Sequence, residues 1–171
     1  MPVSNATPLI YMARLSRIQL LKEIFNQIQI PPEVKTETID RGKTEGYPDA
    51  YVIENALNEG WIIKAPLTTE NRKKSEALMQ ITGIDKGEAQ AIMLAKQKNE
   101  ELILIDQANA REVARQLRLK PRGTIFIILT ATKRRMITRQ DAKQMLGRLI
   151  EANFYMSARI YRDALKAIER L

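Results

Sequence analysis

Four oxygen-bearing side chains, Asn5, Glu37, Glu88 and Asp106, sit where apolar runs give way to helical ones or one turn inside a helix. The chain has no Cys and no His, which removes thiol nucleophiles, imidazole bases, Ser-His triads and the usual zinc ligands together. Any metal chemistry must therefore use a hard ion, Mg²⁺ or Mn²⁺, held by carboxylate, amide and hydroxyl oxygens. Such an ion lowers the pKa of a bound water and so does the work of an imidazole base.

Each of the four also has an ordinary structural explanation. Asp106 suits the N-cap of a helix starting near Gln107, and Asn5 suits a turn or cap. Asp85-Lys86-Gly87-Glu88 has the form of a capping box, with Glu88 reaching back to the start of its own helix. Glu37 follows Pro31-Pro32 by about one turn and fits a solvated helix carboxylate.

The elements that would position these residues alternate in type. Ile28-Gln29-Ile30, Trp61-Ile62-Ile63 and Leu102-Ile103-Leu104-Ile105 are short apolar runs of strand length, the last suited to a strand covered on both faces. Helical spacing fills the intervals: Thr7 to Leu15, Ile18 to Phe25 behind a Ser16 cap, Val34 to Thr38, Pro48 to Asn58, Thr69 to Ile81 and Asp85 to Gln97. Gly42 to Gly46 reads as a polar loop. Beyond Asp106 the pattern predicts helices over 107–117, 124–134, 138–152 and 157–170, with at most a short strand near Leu119 to Arg122. This alternation argues for a doubly wound α/β protein whose polar groups gather at the carboxyl ends of parallel strands. At 171 residues, one domain spanning 1–171 is expected. The absence of a leader-like start or a long apolar run predicts a cytoplasmic chain with no membrane contact.

The net charge of +8 is uneven, because the chain up to Asp106 is slightly acidic and the remainder strongly basic. A basic face favours a polyanion such as RNA, and a solubilising helical surface would look the same by charge alone. Lys133-Arg134-Arg135 at the end of one predicted helix, followed by Arg139, Lys143 and Arg148, would form a phosphate track or simply complement helix dipoles. Arg111, one turn beyond Asp106, has the same two readings.

Val3-Ser4-Asn5-Ala6-Thr7-Pro8-Leu9-Ile10, Ile30-Pro31-Pro32-Glu33-Val34-Lys35-Thr36-Glu37, Gly87-Glu88-Ala89-Gln90-Ala91-Ile92 and Leu104-Ile105-Asp106, with Gly123-Thr124 and the Phe154 to Arg170 tail, resemble the prokaryotic PIN-domain proteins. These include the VapC-type toxins, and the likeness is to a subgroup of unassigned function. The resemblance implies a three-layer α/β/α fold with a parallel sheet of four or five strands. It implies a Mg²⁺- or Mn²⁺-dependent endoribonuclease leaving 5′-phosphates, with an antitoxin partner and a homodimer as further expectations. The acidic cluster would fall on Asn5, Glu37, Glu88 and Asp106, with the Thr7 hydroxyl beside it. Asn5, Glu88 and Asp106 would be metal ligands and Glu37 an orienter of water; Glu37, Glu88 and Asp106 would be catalytic, with Arg111, Lys133, Arg134 and Arg135 on the nucleic acid. Asn5 departs from the Asp usual at that motif, and Gln107 and Asn109 lie where many relatives carry a further acid. Asn contributes a neutral oxygen, so the set suits one ion held loosely better than two. The resemblance leaves room for an RNA- or protein-binding module with an impaired metal site.

Overall fold

Apolar runs too short to bury a helix face become strands in the computed structural model, which describes residues 1–171. Strand β1 (Val3–Ser4) is followed by helices α1 (Ala6–Arg14) and α2 (Gln19–Phe25), then β2 (Ile28–Ile30). After Pro31 comes one continuous helical stretch, made of α3 (Pro32–Lys35), a π-helical segment (Thr36–Arg41) and α4 (Gly42–Thr44). Helix α5 (Pro48–Asn58) leads to β3 (Ile62–Lys64), and α6 (Thr69–Thr82) and α7 (Lys86–Gln97) lead to β4 (Leu102–Leu104). The basic third holds α8 (Ala108–Gln116), β5 (Lys120–Arg122), α9 (Thr124–Lys133), α10 (Arg139–Glu151) and α11 (Ala158–Arg170).

The five strands are all parallel, in the order β3-β2-β1-β4-β5. Successive side chains along a strand point to opposite faces, and the core divides accordingly. Leu104, Ile28 and Ile30 join α1, α2, α5 and α9–α11 on one face. Val3, Ile103 and Ile105 join α6–α8 on the other. The result is the expected three-layer α/β/α sandwich around a five-stranded sheet. Pro121 sits in β5, where an outer strand can accept a residue with no N–H.

Two local expectations are corrected. Ser16 does not cap α2; with φ 57° it closes α1, where Arg17 N donates to Met12 O at 2.9 Å. Gly42 begins a further helical turn and not a loop, and its bare Cα lets α5 approach so closely that a Cβ would stand 2.8 Å from Ala50 Cβ. No helix is long and apolar enough to cross a membrane.

Candidate active site

Strand order reverses between β1, from which the chain moves outward through β2 to β3, and β4, from which it moves the other way to β5. At such a switch point the loops leave the sheet in opposite directions and open a crevice at the carboxyl edge. Asn5 and Asp106 stand there on adjacent strands, joined by the Asn5 N to Leu104 O hydrogen bond of 2.9 Å. Asn5 is only 2 % exposed, and its Oδ1 is the one buried side-chain polar atom without a hydrogen-bond partner. An unpaired buried acceptor is unfavourable by about 1–3 kcal/mol, so this oxygen faces inward ready for a donor or a cation.

Asp106 does not cap the helix that follows it. Its Oδ1 accepts from Thr124 N at 2.7 Å and its Oδ2 from Thr124 Oγ1 at 2.8 Å, so the start of α9 clamps the carboxylate from the neighbouring strand end. Burial pushes the Asp106 carboxyl above its ordinary value, while the two Thr124 hydrogen bonds and the Arg111 charge pull it back. Gly123 makes the approach possible, since a Cβ there would meet Asp106 Oδ1 at 2.5 Å and Arg111 Nη1 at 3.1 Å. The Thr7 hydroxyl lies on the first turn of α1 and accepts from Gln107 Nε2 at 3.1 Å, tying that turn to the loop after β4.

Glu37 and Glu88 form the other half of the site. Asp85 and Glu88 complete the capping box, with Glu88 N on Asp85 Oδ1 at 2.7 Å and Asp85 N on Glu88 Oε2 at 3.0 Å. The structural explanation for Glu88 is therefore correct, yet the box uses only one of its carboxylate oxygens. Burial raises the Glu88 pKa. Glu37 lies in the π-helical segment, a distortion that often re-aims a side chain at functional sites. Its carboxylate rests against Gly87, where a Cβ would stand 2.6 Å from both oxygens. Burial first, then the charges of Asp85, Glu33 and Glu88, raise its pKa to about 7 against an opposing pull from Arg41.

Sequence reasoning misses Glu33. It is buried and held by Arg41 at 3.0 Å and Lys86 at 2.9 Å, while its N–H donates to Gln90 Oε1 at 3.1 Å. Its place next to Pro32 is the available signal, because the first turn of a helix leaving a strand end must lie at the carboxyl edge. The acids are thus brought together as two groups, Glu33, Glu37, Asp85 and Glu88 on one side and Asp106 with Asn5 on the other. No three acidic side chains lie close enough to share one ion. Asn5, Glu88 and Asp106 nonetheless fit a hard ion in donor type: all supply oxygen, one oxygen is orphaned, and both carboxyls are disfavoured as bare anions.

The cations near this edge are Arg111, Arg122, Arg41 and Lys86. Lys133 is the last residue of α9, Arg134 and Arg135 follow it, and Arg134 Nη1 donates to Ile24 O at 3.2 Å near the end of α2.

Five parallel strands between two helical layers, with polar side chains at the carboxyl edge of the switch point, define a three-layer α/β/α domain. The chain belongs to the PIN-domain family, whose model matches residues 1–170. No curated protein and no solved structure matches it.

Proposed function

We propose that this protein is a Mg²⁺- or Mn²⁺-dependent endoribonuclease that hydrolyses phosphodiester bonds at the β1/β4 switch point. The orphaned, buried Asn5 Oδ1 beside Asp106 carries the reading, because the edge otherwise pairs its buried polar side chains. Asn5, Glu88 and Asp106 would hold the ion, which when bound supplies an activated water and neutralises charge on the phosphoryl oxygens. Thr124 keeps Asp106 in one orientation. Glu37, with a pKa of about 7, is suited to take a proton from water near neutral pH. PIN domains often bind RNA and generally depend on divalent metal, which supports both the substrate and the ion.

The test is cleavage of a labelled single-stranded RNA in Mg²⁺ or Mn²⁺. Wild-type protein should release 5′-phosphorylated fragments, and Asp106→Asn and Glu88→Gln should lower the rate by about two orders of magnitude or more. Undiminished cleavage by Asp106→Asn rejects the assignment. A second reading, a binding module with an impaired site, is favoured by the neutral Asn5 and by the division of the acids into two groups. Calorimetric titration with Mn²⁺ separates them, since the module would give no heat in the presence or absence of RNA. Toxin activity with an antitoxin and a homodimeric state extends the first reading; growth arrest on expression, relieved by a neighbouring gene, and sedimentation of the purified chain test the two.

A further inference from the structure

Arg111 and Arg122 stand on the β5 side of Asp106, and neither lies within salt-bridge distance of a carboxylate. Arg111 Nη1 donates to the Ile105 carbonyl at 3.3 Å, and Arg122 Nη1 to the Pro121 carbonyl at 3.3 Å. Neither makes an ion pair, whereas Arg115 beside them is matched to Glu112 at 3.2 Å. Arg111 is half-buried and is pushed below its ordinary pKa by burial and by the Arg115 charge, against an opposing pull from Asp106, with the Arg122 charge lowering it further. Asp106 is near, its Oδ1 and Arg111 Nη1 both bordering the space over Gly123, and it attracts Arg111, but its hydrogen bonds go to Thr124. Arg122 ends β5 in register with Leu104, and its guanidinium lies over the ring of Phe126 on the first turn of α9, 5.2 Å from the centroid. An exposed arginine held over an aromatic ring loses less freedom when it binds, and it keeps outward N–H groups available. Two guanidiniums without salt-bridge partners suit a phosphodiester, whose two non-bridging oxygens accept from such a pair.

Resting on the nuclease reading for the identity of the polymer, we propose that Arg111 and Arg122, the latter steadied by Phe126, form a phosphate-binding subsite on the β5 side of Asp106. The subsite takes a backbone phosphodiester next to the one cleaved and sets the strand's direction across the sheet edge. Arg111 is noticeable from sequence as one turn past Asp106. Arg122 is not, because only the β4–β5 pairing brings it beside that residue.

The experiment measures binding of a single-stranded RNA of fixed length by fluorescence anisotropy in chelator, over a range of salt concentrations, so that it does not depend on cleavage. Arg122→Gln and Arg111→Gln should each weaken binding several-fold at low salt and reduce the log–log salt slope by about 0.7, the value for one phosphate of a single strand no longer neutralised. Lys73→Gln, on the exposed face of α6, should change neither. Arg111→Lys, which keeps the charge, should retain most of the slope and controls for any loss of folding in the half-buried Gln variant. Protein that binds RNA through both arginines yet cleaves none overturns the nuclease reading and leaves the subsite standing. Protein that cleaves RNA while both Gln variants keep wild-type slope and affinity overturns the subsite and leaves the nuclease. Wild-type protein that binds no RNA at all overturns the subsite.

Discussion

The chemistry of single residues makes the sharpest predictions, beginning with Glu37. A carboxyl whose folded pKa is raised from 4.5 to about 7 binds more protons folded than unfolded between those values. Stability must therefore fall as pH rises through that window and level off above it. Glu37→Gln removes the slope: in metal-free protein the variant should match wild type near pH 4 and exceed it at pH 8 by about 1–2 kcal/mol, the full shift being reduced by solvent screening of a partly exposed group. Urea denaturation at the two pH values checks this, and equal stability at pH 8 would remove the basis for Glu37 as a proton acceptor. Asn5→Asp acts in the opposite sense. It adds a buried negative charge beside an already disfavoured Asp106, so the metal-free melting temperature should drop, while Mn²⁺ should bind about tenfold tighter, roughly 1.4 kcal/mol. Calorimetry and melting with and without Mn²⁺ measure both; weaker Mn²⁺ binding would show that Asn5 does not face the ion. Asn5, Glu37, Glu88 and Asp106 were all legible in the sequence. The partners that decide their chemistry were less so, because Thr124 comes 18 residues after Asp106 and only strand pairing brings it near.

At the scale of elements, two glycines mark where helices give way to carboxylates. Gly87 is at the start of α7 and Gly123 caps α9, and a Cβ at either would strike an acid, Glu37 at 2.6 Å or Asp106 at 2.5 Å. The consequences differ because the acids are held differently. Glu37 is the free end of a flexible side chain with no hydrogen bond, so Gly87→Ala should push it aside at little loss of stability, and helix propensity returns up to about 1 kcal/mol. Asp106 is clamped at both oxygens, and Gly123→Ala must break hydrogen bonds to a charged group worth about 1.5–3 kcal/mol each. Thermal melts should show a near-neutral Gly87→Ala and a clearly destabilised Gly123→Ala, with cleavage reduced in both. Similar melts would mean that Asp106 relaxes as freely as Glu37. Four of the five strands and most helices were readable from periodicity, including the short β5, while the two-residue β1 was too short to show an apolar run. The π-helical segment was not, because Thr36 to Arg41 is regular in pattern; the Thr36 and Thr38 hydroxyls there donate back to the Pro32 and Val34 carbonyls, bonds of a kind that bend helices.

At the scale of the molecule, the proposed function requires the basic surface and the carboxyl edge of the sheet to be joined by a path. An acidic crevice repels a polyanion unless cations offset it, and the basic third of the chain supplies two sets at different distances. Arg111 lies beside Asp106 and Arg122 ends the neighbouring strand, while Lys133, Arg134 and Arg135 stand at the other end of α9, whose ten residues span about 15 Å from the Thr124 clamp. A strand gripped at the near set reaches the far set only if it is long enough to follow the helix. Replacing Lys133, Arg134 and Arg135 by Gln should therefore leave the binding of a very short RNA unchanged. The same change should weaken a long one and reduce its salt slope by about 0.7 for each phosphate that the triplet neutralises, at most about 2 for three. Arg134 also holds the Ile24 carbonyl, so a stability loss of about 0.5–1 kcal/mol accompanies the triple change without affecting the short ligand. Anisotropy titrations with the two lengths, each in low and moderate salt, decide the point. Equal weakening of both lengths would place the triplet at the active edge, contrary to the geometry of α9. No weakening of either would leave it as surface charge and cap, with the strand leaving the crevice by another route.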